Sequence, residues 1–214
     1  MAKIKGLKDS GIEYLIGIDE VGRGPIAGPV AVGIFLISAN NFVHVRKLFQ
    51  GVKESKQLTE VKREEWFDII EQAKKVKHID FQVTFQSEKI IDSKGLSYAI
   101  KKSLTTSLKL VLIRNKIRPK QVRILLDGGL KAPANYPNQK TIIKGDEKEM
   151  VIALASICAK VLRDRKMSKV AKKYPKYGFE KHKGYGTRGH YRAIRKYGIS
   201  SVHRKSFLKD FKSR

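Results

Sequence analysis

An apolar run that ends in two acids and continues into a glycine-rich loop stands near the start of the chain, Tyr14-Leu15-Ile16-Gly17-Ile18-Asp19-Glu20-Val21-Gly22-Arg23-Gly24-Pro25-Ile26-Ala27-Gly28-Pro29-Val30. The run at 14–18 is short, apolar and β-branched, which predicts a buried strand. A carboxylate pair at the end of such a strand is costly unless a cation compensates its charge, and divalent metal ions prefer oxygen ligands. Gly22 and Gly24 lack a Cβ, so the backbone there can approach another molecule closely. The stretch therefore predicts a metal site at Asp19 and Glu20 beside a loop suited to close contact.

A strand that simply ends in a polar turn is the alternative for this stretch, since Asp, Gly and Pro are common turn residues. Adjacent residues on a regular strand point to opposite faces, so Asp19 and Glu20 share one site only if the strand breaks there. The glycines and the proline at Gly22, Gly24 and Pro25 favour that break. The Gly-x-x-x-x-Gly-Lys-Ser/Thr pattern of a phosphate loop is missing here, which argues against nucleotide binding at this loop.

The apolar periodicity of the remaining chain predicts an α/β fold. Further strands are predicted at 29–38, 78–85, 121–126 and 140–144. Helices are predicted at 59–75, with Thr59 as a candidate N-cap and Val61 on its apolar face, and at 97–115, 150–162 and 188–197. Residues 39–55 have the composition of a loop. We expect one domain over 1–214, with a catalytic core at about 12–165 and a basic helical extension at about 166–214.

The chain is strongly basic, with 46 Lys and Arg against 20 Asp and Glu among 214 residues and a net charge of +26. Residues 160–214 alone hold 19 basic and 3 acidic side chains. Such a charge is typical of phosphate-binding surfaces and favours a nucleic-acid partner. A solvated basic surface or a non-enzymatic binding protein would have the same balance, so the charge does not by itself indicate catalysis.

The number of cysteines and the hydropathy of the chain indicate in which cellular compartment the protein is expected. Cys158 is the only cysteine, which rules out an intrachain disulfide and indicates a reducing compartment, and its small apolar neighbours predict a core position. No stretch reaches the roughly 18 apolar residues of a membrane span, and residues 1–10 lack the apolar core of a signal peptide. We therefore expect a cytoplasmic monomer that binds no membrane.

Two further acids repeat the arrangement at the first strand. Asp127 stands where a predicted strand meets two glycines, and Asp146 lies just before the Ala-rich segment at 150–162. Carboxylates at several strand ends on one edge of a sheet are a common way in which an α/β fold forms a site. The alternatives are an Asx-turn at Asp127 and a helix N-cap at Asp146, and each residue alone fits its alternative equally well.

Taken together, these segments resemble the type 2 ribonucleases H (ribonuclease HII) of bacteria and archaea. The signature segments are Asp19-Glu20-Val21-Gly22-Arg23-Gly24-Pro25, Gly28-Pro29-Val30, Asp127-Gly128, Gly145-Asp146-Glu147-Lys148, the helix at 152–165, His182-Lys183-Gly184-Tyr185-Gly186-Thr187 with His190, and His203-Arg204-Lys205-Ser206-Phe207. The resemblance spans residues 17–207. It implies a ribonuclease H-like fold, with a mixed central sheet of about five strands flanked by helices.

The resemblance also implies an activity. Members of this family are endoribonucleases that hydrolyse the RNA strand of RNA–DNA hybrids and cut 5′ of single ribonucleotides embedded in duplex DNA. Their products carry 3′-hydroxyl and 5′-phosphate ends. The implied cofactor is a pair of Mg²⁺ or Mn²⁺ ions, held by the catalytic carboxylates Asp19, Glu20, Asp127 and Asp146.

The implied substrate contacts are Gly22, Arg23, Gly24, Lys56 and Tyr185. The glycines leave room for the backbone to reach the 2′-hydroxyl, the group that distinguishes RNA from DNA, and Tyr185 packs on the sugar at the RNA–DNA junction. His182 and His190 are eight positions apart in a chain with one cysteine, which argues against a zinc site. We expect these two histidines to contact phosphate or solvent.

The chain departs from the family pattern at Glu54-Ser55-Lys56-Gln57-Leu58, where members often have Asp-Ser-Lys-Lys-Leu. One substrate-side lysine of the family pattern is therefore replaced by Gln57. Type 3 enzymes are the close alternative, but they carry Gly-Lys-Gly where this chain has Gly22-Arg23-Gly24. Another metal nuclease of the same superfold would share the carboxylates, and a non-enzymatic basic RNA-binding protein would share the charge.

Overall fold

A mixed sheet forms the centre of the protein. The structure is a computed structural model that describes residues 11–52, 58–209 and 211. Its strands are β1 (Tyr14–Val21), β2 (Val30–Ser38), β3 (Ile79–Gln86), β4 (Val122–Asp127) and β5 (Gln139–Ile142). They lie in the order β3-β2-β1-β4-β5. Strand β2 is antiparallel to both of its neighbours, β1 and β3, whereas β4 is parallel to β1 and β5 is parallel to β4. The predicted mixed sheet of about five strands is confirmed.

Helices cover both faces of this sheet. In chain order they are α1 (Phe42–Leu48), α2 (Glu60–Lys75), α3 (Glu88–Lys94), α4 (Leu96–Arg114), α5 (Gly145–Lys148), α6 (Met150–Lys173), α7 (Phe179–His182) and α8 (Arg188–Tyr197). One apolar core lies between the sheet, α2 and α6, and a second lies between the opposite face and α4. Thr59 is the N-cap of α2, as predicted, because its hydroxyl accepts a hydrogen bond from the Lys62 N–H.

Two sheet glycines allow α6 to lie directly on the strands. A Cβ at Gly17 would lie 2.1 Å from the carbonyl carbon and oxygen of Val151, and one at Gly33 would lie 2.3 Å from the Ala155 oxygen. Both distances are shorter than any real contact, so neither position can hold a side chain without moving the helix. This close packing fixes the distance between the first turns of α6 and the end of β1, where the acids lie.

A third core joins the glycine-rich loop to the C-terminal segment. Ile26 and Ala27 of the loop pack with Met167 of α6, Phe179 of α7 and Ile194 of α8. A bridge pairs Ala27 with His203 in antiparallel fashion, and the Gly28 N–H donates to the Val202 carbonyl at 2.8 Å. The segment after 165 is therefore packed against the loop that follows β1.

The structure corrects several sequence-based expectations. Residues 42–48 of the expected loop form α1, and Val61, assigned to the buried face of α2, is 69% exposed. The strand β1 does not break at the acids. It pairs with β2 through Glu20 and Val21, and the chain leaves the sheet only at Gly22, where φ is +89°. The helix predicted at 150–162 continues to Lys173 and crosses the boundary proposed at 165, so that division of the domain stays a prediction.

The predicted core position of Cys158 is confirmed. Cys158 is fully buried in the first core, and burial raises the pKa of its thiol. None of the helices in the described ranges combines the length and the hydropathy that crossing a bilayer would require.

Candidate active site

Two of the predicted acids lie near the carboxyl ends of neighbouring parallel strands. Asp19 follows Ile18 on β1, Asp127 is the last residue of β4, and Ile18 is directly opposite Leu126. Because the strands are parallel, both carboxylates lie at the same edge of the sheet. This edge is the predicted position of the site.

Asp146 reaches the same edge from the short helix α5. Asp127 Oδ1 accepts a hydrogen bond of 2.6 Å from the Gly145 N–H, which ties α5 to the end of β4. Asp146 is buried, and the N-caps of α5 and α6 are Lys144 and Glu149. The N-cap alternative for Asp146 is therefore wrong.

Burial and neighbouring charge act strongly on Asp19. Its pKa is raised to about 7, first by burial and then by the negative charges of Glu20 and Asp127, while a hydrogen bond with Ser156 partly offsets these effects. Asp19 Oδ1 also accepts the Glu20 N–H at 2.8 Å. The site thus contains more negative charge than its own hydrogen bonds balance.

Glu20 lies on the same strand, one residue further. Burial raises its pKa, as does the charge of Asp127, whereas Arg23 lowers it through an ion pair of 2.8 Å between Nη1 and Glu20 Oε1. The other oxygen, Oε2, is buried and has no hydrogen-bond partner among the described residues. Although β1 does not break, both acids of the pair interact with Asp127.

These carboxylates are chemically suited to a hard divalent cation. All the candidate ligand atoms are oxygens, two of the acids have raised pKa values, and one buried oxygen lacks a donor. Within residues 11–52, 58–209 and 211, however, no group of three or more acidic, histidine or cysteine side chains is arranged to hold a metal ion. Arg23 and the Gly145 N–H instead engage Glu20 and Asp127.

Two buried arginines shape the loop beside these acids. Arg204 donates to the carbonyls of Gly22 at 2.7 Å, Arg23 at 2.9 Å and Gly28 at 2.9 Å. Arg163 of α6 donates from Nε to the Pro29 carbonyl at 2.9 Å. Burial, followed by repulsion from Arg163, lowers the pKa of Arg204 to about 10, so it remains a cation at neutral pH.

Sequence reasoning did not identify these arginines as part of the site, although both lie in segments that carry the family resemblance. The signal that could have found them was the loop itself, which is rich in glycine and proline and whose carbonyls need donors from elsewhere in the fold. A Cβ at Gly22 would lie 2.3 Å from Arg163 Nε, which explains glycine at this position.

The remaining predicted contacts divide into two groups. Tyr185 lies across from Gly24: its Cε1 is 3.8 Å from where a Cβ on Gly24 would be, and its side chain is 42% exposed. Lys56 and Gln57 fall outside the described residues, so their predicted roles stay predictions. The structure therefore brings Gly22, Arg23, Gly24 and Tyr185 together at one end of the carboxylate edge.

The expectation that His190 contacts phosphate or solvent is wrong. His190 is fully buried in the third core, where its ring stacks on His182 with centroids 4.3 Å apart. Its Nε2 lies 3.0 Å from Nε2 of the buried His203. Burial lowers the pKa of both His190 and His203 to about 4.

Asp19→Asn should stabilise the metal-free protein increasingly as the pH rises. The folded state holds a proton on Asp19 that the unfolded state has already released, so the stability contributed by the protonated acid is lost as pH rises towards the folded pKa of about 7. The advantage of the variant should grow by about 2–3 kcal/mol between about pH 5 and about pH 8. Urea unfolding with EDTA at both pH values measures this difference.

The comparison of the two proteins isolates Asp19. The depressed pKa values of His190 and His203 make stability change with pH in the opposite direction. Their contribution to stability is present above the unfolded pKa and is lost as pH falls towards about 4. These histidines are the same in both proteins, so their effect cancels. A difference in stability that does not change with pH would show that Asp19 carries no raised pKa.

The chain is similar to known proteins both in sequence and in structure. The family model for ribonuclease HII matches residues 16–210. Ribonuclease HII of Caldicellulosiruptor bescii is 40% identical over 208 residues, which cover 97% of this chain and 92% of the relative. That of Clostridium beijerinckii is 43% identical over 195 residues, 91% of this chain and 67% of the relative.

Solved structures agree with the sequence matches. The ribonuclease HII in a complex with PCNA from Archaeoglobus fulgidus aligns with a TM-score of 0.70 at 25% identity, over 94% of this chain and 96% of its own. Bst-RNase HIII in complex with Mn²⁺ shares the fold, with a TM-score of 0.64 at 19% identity over 97% of this chain and 73% of its own. The chain therefore belongs to the ribonuclease HII family and is a nuclease of the hydrolase class.

Proposed function

We propose that this protein hydrolyses the RNA strand of RNA–DNA hybrids and cuts 5′ of single ribonucleotides embedded in duplex DNA. The observation that carries the proposal is the edge where Asp19 and Asp127 meet the loop Gly22–Gly24, with Tyr185 across from Gly24. A cluster of under-compensated carboxylates supplies the chemistry, and the loop and tyrosine supply the discrimination between sugars. Family membership supports a ribonuclease H activity in general, and this arrangement supports the finer assignment.

Asp19 and Asp127 are the proposed central ligands of two divalent ions, Mg²⁺ or Mn²⁺, with Glu20 and Asp146 completing the set. Bound there, the ions would activate water and stabilise charge on the departing 3′ oxygen. Hydrolysis adds water across the bond between phosphorus and the 3′ oxygen, leaving a 3′-hydroxyl and a 5′-phosphate. The release of Arg23 from Glu20 on metal binding would free its guanidinium to contact a substrate phosphate.

The loop at 22–24 is the proposed reader of the 2′-hydroxyl. Arg204 holds the carbonyls of Gly22 and Arg23 from inside the protein, which turns the outer side of the loop towards a ligand. Gly24 has no side chain to keep a ribose away, and the exposed ring of Tyr185 beside it offers a flat surface for the neighbouring sugar. Loop and ring together would contact both sides of an RNA–DNA junction.

The direct test uses three DNA duplexes that differ only in sugar content: one all-DNA, one with a single embedded ribonucleotide and one with a long RNA tract. In the presence of Mg²⁺ we expect cleavage of the second and third and no cleavage of the first. EDTA should abolish cleavage. Cleavage of the all-DNA duplex at a comparable rate would favour another metal nuclease of the superfold, which lacks a 2′-hydroxyl reader.

Tyr185→Ala should reduce cleavage at a single embedded ribonucleotide about ten- to hundredfold, because an aromatic contact with a nucleotide contributes about 1–3 kcal/mol. Long hybrid tracts should suffer less, since other cleavage registers remain available. The measurement is kcat/KM on both substrates. Tyr197→Ala is a matched control, because its side chain is also 42% exposed but lies on α8. Equal activity of wild type and Tyr185→Ala on the single-ribonucleotide duplex would remove Tyr185 from the site.

A further inference from the structure

Three histidines that the proposed reaction does not use lie beneath the turn that carries Tyr185. His190 Nδ1 is 2.8 Å from the Tyr185 carbonyl oxygen, and His190 Nε2 is 3.0 Å from His203 Nε2. At the other end, His203 Nδ1 accepts a hydrogen bond from the Ser200 N–H at 3.0 Å. A continuous chain of hydrogen bonds therefore runs through the third core from Ser200 to Tyr185.

The groups at the two ends of this hydrogen-bond chain determine which ring nitrogens carry the protons. A backbone N–H can only donate, so His203 Nδ1 is an acceptor and the proton of a neutral His203 is on Nε2. That proton is donated to His190 Nε2, which leaves the proton of a neutral His190 on Nδ1, where it is donated to the Tyr185 carbonyl. A second proton on either ring would place two donors against each other. The lowered pKa values of both histidines agree with this single arrangement.

The third histidine fixes the other side of the same turn. The Tyr185 N–H donates to the His182 carbonyl at 2.9 Å, and the Gly184 N–H donates to His182 Nδ1 at 3.2 Å. The Gly184 carbonyl accepts the Ile26 N–H at 2.9 Å, which joins the turn to the glycine-rich loop. The exposed tyrosine ring is thus carried on a backbone held from below by the buried His190 and the half-buried His182.

We propose that His190 and His203 are positioning residues that hold Tyr185 across from Gly24 and thereby set the preference for a duplex with one embedded ribonucleotide. The inference rests on the proposed function, in which Tyr185 packs on the sugar at the junction. It assigns a purpose to a buried polar chain that an apolar core would not need, since apolar residues of similar volume would pack the same space without hydrogen bonds.

Three variants separate positioning from simple packing. His190→Leu removes the donor to Tyr185 and the acceptor for His203, whereas His190→Asn keeps an amide donor near the Nδ1 position. Phe179→Leu is the control. The Phe179 ring packs on His182, His190 and His203 with centroids 5.2–5.8 Å away, and its side chain contributes no hydrogen bond to the chain. The Phe179→Leu substitution loosens the same core while leaving every hydrogen-bond donor of the histidines in place.

The readout is the ratio of kcat/KM on the single-ribonucleotide duplex to kcat/KM on the long hybrid tract, measured where all variants are folded by circular dichroism. We expect His190→Leu to lower this ratio about tenfold, the size of one lost hydrogen bond. His190→Asn should recover most of the ratio, and Phe179→Leu should leave it unchanged. Equal losses on both substrates, or the same fall with Phe179→Leu, would reduce the histidines to packing residues and overturn the inference.

A double variant tests whether the histidine acts through the tyrosine. When His190→Leu is added to Tyr185→Ala, no further fall in the ratio is expected, because the residue being positioned is already gone. A fall that multiplies with that of Tyr185→Ala would overturn the inference. If Tyr185→Ala itself leaves the ratio unchanged, the role of Tyr185 in the proposed function fails and the positioning role fails with it.

Proton–nitrogen correlation spectra of the imidazole rings test the chain without substrate. In the free protein at neutral pH, His190 should carry its proton on Nδ1 and His203 on Nε2, both neutral. A doubly protonated ring or the opposite tautomers would overturn the inference even if the enzyme cuts as proposed. The expected tautomers, together with a ratio lowered by Tyr185→Ala but not by His190→Leu, would overturn the positioning role and leave the proposed function standing.

Discussion

Asp19→Asn is expected to reduce cleavage of a hybrid by more than about a thousandfold, because loss of a ligand from the proposed metal site would remove several kcal/mol of transition-state stabilisation. Binding of the hybrid should remain within about threefold of wild type, since phosphate attraction comes from the basic surface and not from the acids. Asp127→Asn, on the neighbouring strand end, should behave in the same way. The two variants together test whether the paired strand ends form the catalytic site.

Single-turnover cleavage and fluorescence anisotropy with the same labelled hybrid measure the two quantities. The anisotropy is recorded in EDTA, so that cleavage does not interfere. Asp68→Asn is the control, because it makes the same chemical change at an exposed position on α2. A loss of binding in proportion to the loss of activity would indicate that Asp19 acts by supporting the structure.

Arg204→Met is expected to destabilise the protein by about 3–5 kcal/mol, because a buried acceptor left without its donor costs about 1–3 kcal/mol and several such acceptors are involved. The side chain is fully buried, and its three hydrogen bonds end on the carbonyls of Gly22, Arg23 and Gly28. Methionine fills a similar volume but donates nothing, so the three oxygens would lose their donors. Urea unfolding at neutral pH measures the change.

Arg165→Met is the matched control for this substitution. Arg165 lies on α6, two residues after Arg163, and forms an ion pair of 2.6 Å with Glu64 on a partly exposed surface. A surface ion pair of this kind contributes at most about 1 kcal/mol. Similar losses for the two variants would show that the buried contacts of Arg204 are no stronger than a surface pair.

Periodicity and caps predicted most of the fold, because these signals act within a few residues. The Thr59 cap, the strands at both sheet edges and the helix closed before Gly198 depend on local hydrogen bonds and local apolar spacing. Asp19, Glu20 and Asp127 could be singled out because acids at the ends of apolar strands are unusual, whereas the set of four, with Asp146, came from the family resemblance. The helix α1 was missed because its single buried residue, Val45, leaves almost no apolar face.

The parts of the site that could not be predicted depend on contacts between distant residues. Arg204 binds carbonyls that precede it by 176 to 182 positions, and His190 on α8 contacts His203, which lies beyond the end of that helix. The residue type and position of Arg204 and His190 in this basic segment do not reveal which distant atoms they contact. The through-going strand at Asp19 and Glu20 was also missed, because glycines after the acids indicate a turn without indicating where it starts.

The bonds from Arg204 to Gly22 and Arg23 have a kinetic consequence. Closing a loop of this length costs conformational entropy, so we expect these contacts to form late in folding. An intermediate with a complete sheet but an undocked C-terminal segment would already hold its acids, while its loop would still be unshaped. The proposed discrimination between ribose and deoxyribose would then be the last property gained during folding, and we expect partial denaturation to reduce it before the sheet unfolds.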